Sequence, residues 1–215
     1  MPTHRESSIR PAAVAFVAGA ALTTISAAAV QLVVIPASDV SDEMWSYPWT
    51  SGALVAVSLL YAVFHLLIAI GLVGFGRSGV AGRSQMARVG VATAVVGTAL
   101  LLVAELASIP IRDVAMDDTA AGVVGALFGL GTLLSAVGLL IAGKATLSAS
   151  LWEGWRRYTP LGAGIVTSAL VVVAVTFTNA LAGGVALYGL SLLTMALALY
   201  TRPLPKPAVW TGAPA

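Results

Sequence analysis

Six long apolar stretches alternate with short polar ones along the chain, at about Pro11–Ile35, Ser51–Phe75, Ala87–Ile109, Ala120–Ile141, Leu161–Phe177 and Leu181–Tyr200. Most come close to the roughly 20 residues a helix needs to cross a hydrocarbon core. The pattern predicts an all-α, polytopic membrane protein with six transmembrane helices, since a helix satisfies its own backbone polar groups where no water is present. Spans and connections use nearly all 215 residues. The chain therefore divides into an N-terminal tail (1–10), one transmembrane domain (11–201) and a proline-rich tail (202–215) that is expected to be disordered.

An internal echo groups the spans. Gln31–Val40 recurs 74 positions later as Glu105–Val114, with Leu32/Leu106, Ile35/Ile109, Pro36/Pro110, Asp39/Asp113 and Val40/Val114 identical. His65–Arg77 aligns with Thr132–Lys144 at an offset of 67, so the first outer loop is longer by seven residues (74 minus 67) and holds Trp45, Tyr47 and Trp49. A weaker third copy, Leu192–Arg202, ends at a cation as the other two do. The expected architecture is three helical hairpins, about 11–75, 87–141 and 161–200, arranged as parallel repeats around an axis near the membrane normal. Thr24 precedes Gln31 by seven residues as Thr98 precedes Glu105. The first span thus reads as the twin of an internal helix, retained rather than cleaved as a signal peptide.

Charge orients this array. Ten of the eleven Lys and Arg flank the same ends of the spans: Arg5, Arg10, Arg77, Arg83, Arg88, Lys144, Arg156, Arg157, Arg202 and Lys206, against Arg112 alone at the other end. By the positive-inside rule both termini are expected in the cytoplasm. Asp39, Asp42, Glu43, Asp113, Asp117 and Asp118 then face out. With 59% hydrophobic residues, 9% charged residues and a mean hydropathy of +0.96, lipid bilayer is the expected partner. A pI near 9.2 does not imply nucleic acid, because the cations are dispersed over juxtamembrane loops that suit anionic headgroups. Alanine, valine and glycine richness with two lysines is what a high-GC bacterial genome would give, so a bacterial cytoplasmic (inner) membrane is the expected location. The absence of cysteine removes thiolate chemistry, disulfides and iron–sulfur clusters.

Small residues predict close helix contacts. Gly125-x-x-x-Gly129 and the Gly90/Ala94/Gly97 stripe are expected to pack within the monomer, with a homo-oligomer face as the alternative. Trp45, Tyr47 and Trp49 are expected at the outer headgroups, and Trp152, Trp155 and Tyr158 at the inner ones. The segment Leu147–Tyr158 is expected to lie flat as an interfacial helix.

Candidate chemistry centres on Glu105, the one acidic residue inside a predicted span. Five residues before Pro110, it lies roughly 7 Å below the outer helix end. An intramembrane carboxyl is a functional candidate because burying its charge is costly. Its repeat mate Gln31 carries an amide, so a purely structural hydrogen bond would not require the acid. Thr24, Thr98, Thr176 and Asn179 bring further polar groups to the odd-numbered spans, and with Gln31 and Glu105 they form the expected ligand-binding set. Packing is the competing reading, with Glu105 bonded to Gln31, Thr98, Ser108 or Arg112. His65 lies about 21 Å from the outer end of its span, with Ser58 and Tyr61 on the same helix face. Tyr61 and His65 are the candidate proton path. No metal or cofactor is expected: the other histidine is His4, and no cluster has ligand spacing.

Three functional classes fit these residues. The leading one is a membrane protein with a shallow outward-facing pocket around Glu105, binding a small or lipophilic ligand or a partner membrane protein. The second is an intramembrane cyclase- or isomerase-type enzyme on a lipid-like substrate, with Glu105 as the catalytic general acid. The third is a proton-coupled transporter using Glu105 and His65. Duplication alone also builds a bundle with no active site. Because the chain lacks cysteine, orientation is directly testable. S41C is expected to react with an impermeant maleimide added to intact cells, and S84C only after the membrane is opened.

Overall fold

The structure, a computed structural model, describes residues 4–176 and 180–201, with side chains undescribed at 4–8, 175 and 176. The described chain is helical and contains six helices long and apolar enough to cross a membrane. These are α1 (His4–Ala29), α2 (Ser51–Ser78), α3 (Gln85–Ser108), α4 (Thr119–Ala149), α5 (Thr159–Thr176) and α6 (Leu181–Tyr200). Each helix packs against its neighbours in sequence, and α1 closes against α6. The α3–α4 seam is the most extensive and α5–α6 the least.

Local chemistry sets the helix ends. The Thr50 hydroxyl accepts from the Ala53 N–H at the start of α2, Ser84 from Ala87 at α3, and the Asp118 carboxylate from Ala120 at α4. Gly79, at φ +77°, ends α2 in the left-handed conformation that glycine adopts without penalty. The two Ile-Pro dipeptides of the echo act differently. Beyond α1 the chain widens into a π-helical turn over Val30–Val34, with the Ile35 N–H bonding the Val30 carbonyl, and then a 3-10 turn over Ile35–Ala37. At the end of α3 the Ile109 N–H bonds the Leu106 carbonyl, which tightens the last turn instead. In both places proline supplies no N–H to the carbonyl four residues back, so the preceding turn must find another donor.

Several sequence expectations are corrected. α1 begins at His4, so most of the segment assigned to a tail is helix, with Pro11 inside it. α4 runs to Ala149, about eight residues past the expected Ile141, and absorbs the start of the proposed interfacial helix. Ser150, at φ +51°, then turns the chain, and only a 3-10 turn, Gly154–Tyr158, follows. Trp152 is 4% exposed and packs at a tilt against Phe75, with 5.7 Å between ring centroids, so its ring is covered by protein rather than presented outward. Trp155 and Tyr158 are exposed, under Arg156 and Arg157 respectively. The tail 202–215 lies outside the described residues.

Packing follows the small residues, but not all of them. A Cβ on Gly138 would sit 2.2 Å from the Ala94 nitrogen, and one on Gly97 would sit 2.4 Å from the Ser135 nitrogen. The Gly90/Ala94/Gly97 stripe is therefore a backbone-to-backbone seam with α4, as small-x-x-x-small surfaces allow. Gly125 and Gly129 are exposed, and a Cβ at either would meet nothing within 4 Å, so this motif does not pack within the described bundle. At the end carrying the acidic loops, Met44 and Ala115 form an antiparallel bridge. It is flanked by Trp45 N–H to the Val114 carbonyl (3.0 Å) and Met116 N–H to the Glu43 carbonyl (2.7 Å). This ties the α1–α2 loop to the α3–α4 loop. Gly138→Leu must push two backbones apart and is expected to cost at least about 1–3 kcal/mol. Gly125→Leu is expected to be neutral. Unfolding in mixed micelles separates the two, and equal costs would contradict the seam.

Candidate functional site

The face of α2 bearing Ser58, Ala62, His65 and Gly76 lies toward α3. Gly76 marks it, because a Cβ there would strike Val91 at 2.8 Å. Glu105 sits nearly a full turn before the end of α3 at the acidic end, half-buried. The Ser58 hydroxyl lies beside its carboxyl across the α2–α3 seam. Tyr61, one turn on, is close enough for its phenol to sense the Glu105 charge. That phenol is 3.1 Å from the Ser26 hydroxyl of α1, which also bonds the Leu22 carbonyl at 2.7 Å. Three helices thus converge a carboxyl, a phenol and two hydroxyls. Such a set can hold a hydrogen-bond donor or, with the carboxyl ionised, a cation.

The other expected ligand-binding residues do not join this cluster. Gln31 turns to α6, where its Oε1 accepts the Gly183 N–H at 2.9 Å. Thr24 follows the same seam: its hydroxyl bonds the Ala20 carbonyl, and a Cβ on Gly189 would lie 2.7 Å from that hydroxyl. Thr98 is buried, bonds the Ala94 carbonyl at 2.9 Å and meets the Tyr188 phenol of α6. The Thr176 side chain and Asn179 lie outside the described residues. The other three partners considered for Glu105 also have contacts elsewhere. Arg112 pairs with Asp113 at 3.4 Å and with the Ile109 carbonyl, Ser108 bonds the Ala104 carbonyl, and Thr98 is spoken for as above.

Deeper in the bundle lies a buried polar belt with one group from each helix: Thr23, His65, Thr98, Ser135, Thr167 and Tyr188. Close approaches between neighbours place them at nearly one level. Gly97 abuts Ser135, Thr98 meets Tyr188, Gly189 abuts Thr24, and Gly19 abuts Phe64 and Leu67. The threonines solve their own burial by bonding carbonyls four residues back: Thr23 to Gly19, Thr98 to Ala94 and Thr167 to Ala163. His65, 6% exposed, lies against the Tyr61 carbonyl of its own helix, but its Nδ1 has no aligned partner among the described residues. Ser135 Oγ is likewise without one. His65 is seven residues below Ser58, about 10 Å along the helix axis, so it belongs to the belt and not to the Glu105 cluster.

No protein-family profile, characterised protein or solved structure matches this chain. The chemistry of the site therefore rests on its own residues. Among the described residues, no group of three or more His, Cys, Asp or Glu could hold a metal ion. Ser26 carries no signal in the sequence, since the 74-residue offset pairs it with Leu100. Removal of the Tyr61 hydroxyl in Tyr61→Phe is expected to cost about 0.6 kcal/mol, the average for a side-chain hydrogen bond inside a membrane protein. Ser58→Ala, which leaves the carboxyl without its hydroxyl, should cost more, about 1–3 kcal/mol. Unfolding titrations of the two variants test the order.

Proposed function

We propose that this is a bacterial cytoplasmic-membrane protein of three parallel hairpins with both termini in the cytoplasm, and that it binds a small or lipophilic ligand in a shallow outward-facing pocket at Glu105. The convergence of Glu105, Ser58, Tyr61 and Ser26 from three helices carries the reading. A ligand amine, amide or hydroxyl presented from the outer leaflet would find an acceptor flanked by hydroxyls, without having to cross the bundle.

Two contacts support the repeat arrangement. Glu105 meets Ser58, and Gln31 meets Gly183. Glu105 and Gln31 are separated by the 74-residue offset of the echo, and Ser58 and Gly183 by 125 residues, the same interval as Arg77 to Arg202. Related positions on odd helices thus meet related positions on the preceding even helix, which is what a cyclic pseudo-symmetry produces. One interface carries an acid and a serine where the other carries an amide and a glycine. The acid is specialised for something a backbone hydrogen bond does not require.

A second reading, proton-coupled transport, is favoured by the polar belt, in which the unsatisfied His65 Nδ1 lies on the Ser58 face of α2. The two separate experimentally. In intact cells, a lipid-soluble carbodiimide and an impermeant, water-soluble one are both expected to modify Glu105, and neither should give that adduct in Glu105→Gln. Reaction with the lipid-soluble reagent alone would remove the outward-facing pocket. Proton flux in liposomes that is abolished in both Glu105→Gln and His65→Leu would establish the second reading instead.

A further inference from the structure

At the opposite, basic end of the bundle a cavity of about 610 Å³ opens between the α2–α3 turn and the segment that follows α4. Arg83 projects from the turn and Arg88 from the first turn of α3, and both line it, together with Ser78 and, at the rim, the exposed Leu151. No acidic side chain is part of the lining, and among the described residues neither guanidinium has an ion-pair partner. The wall between them is glycine. Gly79 and Gly82 take φ of +77° and +83°, and a Cβ on Gly79 would enter open space while one on Gly82 would press on Ala149 at 3.1 Å. The turn therefore keeps two left-handed positions free of side chains, and the cavity stays open beside two unneutralised cations. The N-terminus of α3, capped by Ser84, adds its partial positive charge on the same side.

We propose that this cavity is a phosphate-group site, formed by Arg83 and Arg88 and fitted to the headgroup phosphodiester of an anionic glycerophospholipid. Planar guanidinium forks suit phosphate oxygens, and two of them around one cavity distinguish a site from a diffuse basic surface. The volume exceeds what a bare phosphate needs and leaves room for a glycerol headgroup. Leu151, 61% exposed at the rim, offers apolar surface where the acyl chains begin. Arg77 supplies an internal control. It sits at the same end of α2 but lines a different groove, with Pro11 and Ala12 of α1.

The full-length protein in neutral phosphatidylcholine nanodiscs or detergent is titrated with phosphatidylglycerol, and in a parallel arm with inorganic phosphate. Thermal unfolding and native mass spectrometry of retained lipid provide the readouts. The wild type and R77Q are expected to be stabilised and to retain lipid. R83Q/R88Q should bind roughly tenfold more weakly, as the loss of charge-assisted hydrogen bonds implies. The charge-conserving R83K/R88K is expected to fall between them and guards against a folding defect in the neutral pair. A response to phosphatidylglycerol alone assigns the group to lipid, whereas an equal response to phosphate assigns it to a soluble anion. If R83Q/R88Q binds as the wild type does, or R77Q loses as much as the double variant, the site does not exist.

Discussion

Every polar group carried into hydrocarbon must find its partner inside the bundle, and this requirement accounts for most of what the chain does between its loops. Threonines bond back to their own helix, Gln31 crosses to a backbone N–H on α6, and Glu105 takes a serine on α2. Even the π-helical turn over Val30–Val34 answers it, since Pro36 withholds the donor that a regular helix would have supplied. Among the described residues the buried side-chain atoms left over are His65 Nδ1 and Ser135 Oγ in the belt, with Trp152 Nε1 and Arg156 Nε at the basic end.

Satisfying these groups requires helices to come close, and closeness is bought with glycine and alanine. Where Gly97 and Gly138 bring α3 and α4 to backbone contact, hydroxyls such as Ser135 are carried into the neighbouring helix's groove. The same seams set the register that aligns the polar belt. Gly125 and Gly129 show that a spacing of four is insufficient on its own. Their face of α4 is exposed, and a Cβ at either would meet no neighbour, whereas Gly138 on another face of the same helix lies against the Ala94 backbone.

The functional candidates divide between the two ends of the bundle. At the acidic end, one carboxyl among hydroxyls lies at the α1, α2 and α3 seams, near loops that a short β-bridge ties together. At the basic end, two arginines with no ion-pair partner among the described residues flank a cavity lined by glycines in left-handed conformations. The two sites require opposite charges of their ligands and lie at opposite faces, so each can be altered without disturbing the other.

Six apolar spans were legible from the sequence because the cost of exposing backbone in lipid imposes a length and a composition that need no tertiary information. Glu105 was legible for a related reason, since a lone acid in such a stretch must be accommodated by something. Its partner was not. Ser58 and Ser26 lie far from Glu105 in sequence, and only the rotation of each helix about its axis decides which hydroxyl meets which carboxyl. Helix rotation also turned Gln31 toward α6 and left the Gly125 face open, and the turn at Ser150 set Trp152 against Phe75. Periodicity determines that a helix spans the membrane. The fit of side chains at its seams determines the direction each residue faces.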